Sequence, residues 1–485
     1  PKQIEVINQR ALNQDAAGVG IRVLADAAGL WLDMGTGKTF VSTAIALYWM
    51  IMGCGACVVI MPPNLLIQWQ KWLRLIKYKE TGQPLDVVLY AGLPAKRKLL
   101  SLDADFVLVG VHIFKRDFTR FSNFFYDRPF TLLVDEATFA NINSANHEAF
   151  FDFGLGRPKQ LLSGTPANAP LDAYGLIKFT APGTYLNFVT FRNLHVEKVD
   201  DYDRPTEWKN LGLLHDNLLK NSTRILYEDI YPGEPRPLFD VVYYDLSEEH
   251  QKLYRRLAEE QLLELPDGGK IDATTVHRLR HALGEIVLNQ GHFCGDPSKG
   301  SVGLDMIEER LHALQGGKMV VFAHYKMTIA NIVKRFQRYG AVGYNSEVSD
   351  KQKEKNKERF IEDRDCKLIA IQYVSGGKGL DGLQHVSHTA LCAEPCRQPR
   401  DFHQAIRRLR RRGQRKRVHV LLPIARGTVQ VKGFNALLDN DTLINQVVRN
   451  AIDLRKEIYG EDQPELRINV DYDWEPDPED GPPAF

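Results

Sequence analysis

The stretch GLWLDMGTGKTF, residues 29–40, decides how this chain is read. It begins as an apolar run, passes through a glycine-rich turn, and enters a helical pattern, KTFVSTAIALYWMI over 38–51. A strand, a glycine loop and a helix in that order are the context a phosphate-binding loop requires. Gly35 and Gly37, with Thr36 between them, let backbone amides approach phosphate oxygens, and the helix N-terminus adds its positive dipole. Lys38 is placed to reach the β- and γ-phosphates of ATP, and Thr39 to hold Mg²⁺. Leu32 stands where the longer GxxxxGK[ST] pattern has its first glycine, so the compact GxGKT core carries the reading.

Working outward, short apolar runs alternate with helix-like stretches. Runs at 29–33, 57–61, 86–90, 106–110, 131–135 and 159–164 read as buried strands, with helical patterns such as 64–76 between them. Near-continuous apolar strands separated by helices indicate a parallel sheet covered on both faces. The pattern breaks over 180–235 and restarts at 239–246, 318–323, 341–344, 367–371, 388–392 and 417–422. Helical stretches are expected at 247–264, 272–289 and from 431 to about 458. Two α/β domains follow, 1–225 and 226–460, with an acidic tail over 461–485.

TLLVDEAT, 131–138, supplies the other half of a nucleotide site. Asp135 at a strand end is suited to hold Mg²⁺ through water, and Glu136 to orient and deprotonate an attacking water. A lone acidic pair after a strand would be surface decoration; the phosphate loop upstream makes it a candidate catalytic pair. Ser163 and Thr165, after the next strand, are placed to sense a γ-phosphate.

Composition is that of an ordinary globular protein, with 25% charged and 44% hydrophobic residues. The net charge of +1 divides unevenly: 461–485 hold nine acids and one base, leaving the remainder basic. A basic body with an acidic tail suggests a polyanionic partner and a separate interaction tail. No apolar run is long and charge-free enough to span a bilayer, and the start lacks a signal core. Cys54 and Cys57, and Cys392 and Cys396, have spacings seen at zinc sites. Burial at strand ends explains both pairs as well.

Taken in order, the motifs resemble the helicase-like ATPases of superfamily two, and within them the Swi/Snf-type double-stranded DNA translocases. PKQIEVIN (1–8) is similar to that group's opening PxQxxGxN element, with Gln3 as the adenine-reading glutamine. DMGTGKT (33–39) resembles DMGLGKT, and VVIMPPNLLIQWQKWL (58–73) the next segment, whose helix carries a QW pair. GVHIF (110–114) holds the place of a DNA-contacting segment without its usual threonines, and DEAT replaces DEAH. SGTPANAPLDAYGLIKF and the following PG resemble TGTPxxNxLxDLxxLxxFLxPG. VVYYDLSEEHQKLY (241–254) and KMVVFAHYKMT (318–328) continue the likeness, the latter departing at His324 and Tyr325. SGGKGLDGL (375–383) resembles AGGxGLNL, with Gly379 in the nucleotide-facing turn and Asp381 in place of asparagine. QAIRRLRRRGQ (404–414) matches QAxxRxxRxGQ without a gap, and ARGTV (425–429) the closing GT element.

The resemblance implies two tandem RecA-like lobes with parallel sheets, an ATP site in the interlobe cleft, and small helical insertions. It implies that Arg408 and Arg411 act on the phosphates bound by the first lobe, with Gln404 orienting them. Arg407, Arg410, Arg412, Arg415 and Arg417 match no family position and are expected to form a basic surface. The implied activity is ATP-driven movement along duplex DNA. A strand-separating or fork-remodelling helicase is the alternative, and RNA is a competing substrate, since phosphate tracking alone does not distinguish it. A binding module without turnover is opposed by the complete set of Lys38, Asp135, Glu136 and Arg411. The expected setting is the cytoplasm of a bacterium or a virus-infected cell, or the nucleus if the source is eukaryotic; no membrane partner is expected. The tail, ending in Phe485, is a candidate docking segment for a replication or recombination protein.

Overall fold

The computed structural model describes residues 27–79, 81–136, 145–264, 270–272, 275–296, 298–373, 380–448 and 454–459. Gln3, Gly379 and the acidic tail lie outside the described residues. The chain divides into two units, one of residues 1–234 with 443–451, the other of 235–442 with 452–485.

The first unit is built on seven strands: β1 (Ala27–Leu32), β2 (Ala56–Met61), β3 (Val87–Tyr90), β4 (Phe106–Gly110), β5 (Phe130–Asp135), β6 (Lys159–Ser163) and β9 (Ser222–Ile225). Their order across the sheet is β3-β4-β2-β5-β6-β1-β9, and every pairing is parallel. Alternation along the strands supplies two cores. Trp31, Val58, Ile60, Val107 and Val109 face one, with Phe114, Phe121 and Phe150. Leu30, Leu32, Cys57, Val59 and Leu108 face the other, under helices α1 (Lys38–Ile51) and α2 (Leu66–Leu73). Apolar residues on both faces of β1, β2, β4 and β5 are why those runs lack a polar alternation.

The broken segment after 180 contains more order than its composition suggests. Helix α3 (Asp172–Thr180) leads to α4 (Phe188–His195), and an antiparallel hairpin joins β7 (Val196–Val199) to β8 (Pro205–Trp208). Helix α5 (Leu211–Leu219) then delivers β9 to the edge beside β1.

The second unit has six strands: β10 (Leu238–Tyr244), β13 (Met319–Ala323), β14 (Val342–Tyr344), β15 (Leu368–Gln372), β16 (Thr389–Cys392) and β17 (His419–Ala425). They run parallel in the order β10-β17-β16-β13-β15-β14. Helix is expected throughout 247–264, but α6 (Glu248–Glu260) stops early. Gln261 adopts φ +54, and the chain turns into a small hairpin of β11 (Leu262–Glu264) and β12 (Lys270–Asp272). Helix α7 (Val276–Ile286) follows it. Later come α8 (Lys326–Arg335), α9 (Pro399–Ile406) and α10 (Val429–Val448), whose residues from Leu443 onward belong to the first unit. Among the described residues, no helix is long and apolar enough to cross a membrane.

Candidate functional site

In the first unit β5, β6 and β1 are adjacent and parallel, so the segments leaving their C-terminal ends lie side by side. Those segments are Asp135–Glu136, Ser163–Thr165 and Asp33–Gly37. Open parallel sheets bind ligands outside the carboxyl ends of their strands.

The loop after β1 turns on two glycines in the left-handed region, Gly35 at φ +83 and Gly37 at φ +86. A side chain at Gly35 would meet the Tyr227 ring at 3.3 Å, so the glycine also permits that ring to pack beneath the loop. Thr36 turns its hydroxyl back onto Asp33 O at 2.6 Å. Lys38 opens α1 and rests its ammonium on Leu32 O at 2.9 Å, with Asp33 O at 3.5 Å. Thr39 follows, and its carbonyl accepts the Thr43 hydroxyl at 2.6 Å.

Asp135 is buried, and both carboxylate oxygens are held. Trp69 Nε1 donates to Oδ2 at 2.8 Å, and the Glu136 amide donates to Oδ1 at 2.9 Å. Burial, and then the neighbouring Glu136 charge, push its pKa up to about 6; the Trp69 hydrogen bond and the Lys38 charge oppose the rise. Glu136 sits at φ +55, uncommon for a residue with a side chain and an indication of local strain where chemistry is expected. The Thr165 amide donates to Ser163 Oγ at 3.1 Å, and the buried Thr165 hydroxyl has no protein partner among the described residues. The donors offered for a cation are oxygens, the Thr39 hydroxyl and the Asp135 carboxylate. This set fits Mg²⁺, which prefers one or two carboxylates with water and phosphate completing its shell.

Two further residues hold the loop. Arg224 of β9 pairs with the buried Asp33 carboxylate at 2.9 Å and donates to Trp31 O at 3.0 Å and Gly164 O at 3.2 Å. The Tyr227 amide caps Asp33 Oδ2 at 3.2 Å. Neither Arg224 nor Trp69 is singled out by the motifs as a site residue. Strand β9, STRI over 222–225, has only one apolar residue and gives no strand signal, and the QW pair does not disclose its partner.

In the second unit Gln404 is buried in the last turn of α9. Arg408 is buried and donates to Leu380 O at 3.0 Å; Arg411 pairs with Asp381 at 2.8 Å and donates to Arg407 O at 3.1 Å. The end of the glycine-rich segment and the arginine stretch are therefore brought together. Asp381, which replaces the family's asparagine, supplies the ion pair.

The expected basic surface needs correction. Arg412, Arg415 and Arg417 are exposed, but Arg407 and Arg410 are 3% and 4% exposed. Leu409 is fully buried, and Arg407, Arg408 and Arg410 around it are buried with it. Cys54, Cys57, Cys392 and Cys396 are all buried free thiols, and among the described residues no group of three His, Cys, Asp or Glu could hold a metal.

Parallel sheets, a glycine loop and an acidic strand end define two RecA-like lobes with helical insertions. The chain matches the SNF2-related domain over residues 24–297 and the helicase conserved C-terminal domain over 303–413, and it belongs to the SNF2-related family. It is 24% identical over 465 residues to an uncharacterized ATP-dependent helicase of Mycoplasma genitalium, covering 90% of this chain and 41% of that one. It is 23% identical over 446 residues to the chromodomain-helicase-DNA-binding protein 1-like of Mus musculus, covering 86% and 47%. The chain thus spans less than half the length of these curated relatives. The SWI2/SNF2 ATPase core of Sulfolobus solfataricus, solved in complex with dsDNA, is 19% identical with a TM-score of 0.41, covering 93% of this chain and 97% of that one.

Proposed function

We propose that this protein is an ATP hydrolase that couples turnover to movement along duplex DNA. The observation that carries the hydrolase reading is the convergence of Lys38, Asp135 with Glu136, and Thr165 at the ends of three adjacent strands. Lys38 exchanges its carbonyl partners for oxygens of the β- and γ-phosphates. The backbone amides of 35–39 bind the remaining phosphate oxygens. Thr39 and, through water, Asp135 would hold Mg²⁺, which would supply charge neutralisation on those phosphates. Glu136 accepts the proton of the water that attacks the γ-phosphorus while the bond from that phosphorus to the β–γ bridging oxygen breaks and ADP leaves, and the Thr165 hydroxyl contacts a γ-phosphate oxygen. Gln3 and Gly379 are proposed nucleotide contacts, and Arg408 and Arg411 the arginines that stabilise the transferring phosphoryl group.

DNA as substrate is supported by the family and by the names of the relatives, which include a DNA-binding helicase and a DNA repair and recombination protein. The basic excess outside the tail fits a polyanion. ATPase rates with matched duplex DNA, single-stranded DNA and RNA test the reading. Duplex is expected to stimulate most, with displacement of a triplex-forming strand and poor unwinding of plain duplex. Efficient unwinding of a long blunt duplex would establish the strand-separating alternative instead.

A further inference from the structure

We infer that Trp69 is a positioning residue for the metal-binding carboxylate of Asp135, an inference that rests on the hydrolase reading above. Trp69 lies on the buried face of α2 with Leu66 and Leu73, and only 2% of it is exposed. An indole nitrogen can only donate. Here it spends its one hydrogen bond on Asp135 Oδ2, on a different element and 66 residues away in sequence. The Glu136 amide holds the other oxygen, so the carboxylate is gripped from two directions and cannot turn about its own axis. Each oxygen keeps a second lone-pair direction for a water on the cation. The carboxylate plane is therefore set before the cation arrives.

Trp72, one turn further along α2, provides the contrast. Its Nε1 reaches Thr43 Oγ1 at 3.3 Å, within the helix that follows the phosphate loop. A buried indole N–H needs an acceptor in any role; what sets Trp69 apart is that its acceptor is the ionisable carboxylate of Asp135.

The test uses the full chain with Mn²⁺ as the probe, free Mn²⁺ being read by electron paramagnetic resonance in the presence of ADP. Trp69→Phe removes the donor and keeps a ring. Replacement of Trp69 by benzothienylalanine keeps the bicyclic shape and removes only the N–H, so it carries the test if the phenylalanine variant fails to fold. Both are expected to weaken Mn²⁺ binding by about 10–100-fold, the usual effect of losing a partner that orients a metal ligand. ADP binding without metal is expected to stay unchanged, and Trp72→Phe to match the parent chain. Parent-like Mn²⁺ affinity in the benzothienyl variant would overturn the inference while leaving the hydrolase reading intact. If the parent chain hydrolyses no ATP, the hydrolase reading itself falls; if it hydrolyses ATP but binds no Mn²⁺ with ADP, the inference about Trp69 falls while that reading stands.

Discussion

Lys38 rests on two backbone carbonyls, a placement for which a phosphate readily competes. Lys38→Ala should therefore leave the fold intact, abolish hydrolysis and weaken nucleotide binding. Glu136→Gln should bind ATP and fail to turn it over, because the amide keeps the shape and loses the base. Equilibrium binding of a fluorescent ATP analogue and phosphate release separate the two outcomes; near-normal turnover in both variants would remove the assignment. Arg411 is tied to Asp381 by a partly exposed pair, an interaction of at most about 1 kcal/mol that a stronger anion can displace. Arg411→Ala is expected to lower turnover by at least ~10²-fold with nucleotide affinity nearly unchanged, as for lost transition-state charge stabilisation. Arg415→Ala, on the exposed side, should instead weaken DNA binding and flatten its dependence on salt. The reverse result would misplace the arginine motif by one turn.

At the scale of elements, β9 matters more than its four residues suggest. Arg224 ties its own strand to Asp33 and the Trp31 carbonyl in one segment and to the Gly164 carbonyl in another, three segments far apart in sequence. Arg224→Met leaves the Asp33 carboxylate buried without its counter-charge, a change expected to cost about 3–5 kcal/mol in urea unfolding of the first unit. Adding Asp33→Asn should recover much of that loss. In the second unit Glu394 accepts hydrogen bonds from the His324 and Tyr325 amides and the Thr328 hydroxyl. Burial nevertheless pushes its pKa up to about 7, from an ordinary 4.5. The folded state then binds more protons than the unfolded state between those values, so stability falls as pH rises across that window. Glu394→Gln should flatten this dependence in thermal melts between pH 5 and 8, and an unchanged slope would assign it to another group. The strands and phosphate loop were legible because their signals are local: apolar runs of strand length, and glycines immediately before Lys38. Trp69–Asp135 and Arg224–Asp33 were not, because each pairs residues whose proximity exists only after the sheet is assembled. The β7–β8 hairpin was hidden by its charged faces, and the end of α6 by a single glutamine, Gln261, in a conformation that residue type rarely adopts.

For the whole molecule, the division of the chain is the notable point. The first unit takes back residues 443–451, and Ile444, Val447 and Val448 lie in its core with Leu214 and Leu218. His215 Nδ1 meets Val447 O at 2.8 Å in the same place. Ile444→Ala should cost the first unit about 2–5 kcal/mol, the range for emptying a buried aliphatic site. Denaturant unfolding followed by tryptophan fluorescence, to which Trp31 of that core contributes, measures it; no shift in midpoint would mean the contact is dispensable. The same arrangement governs how the chain is born. A ribosome must make all of 235–442 between the first unit's main body and the residues that close its core. At ~5–20 residues per second this is a wait of roughly ten to forty seconds. During that interval the face of α5 bearing Leu214 and Leu218 emerges without its cover, so the unit translated first is finished only after the second has been made.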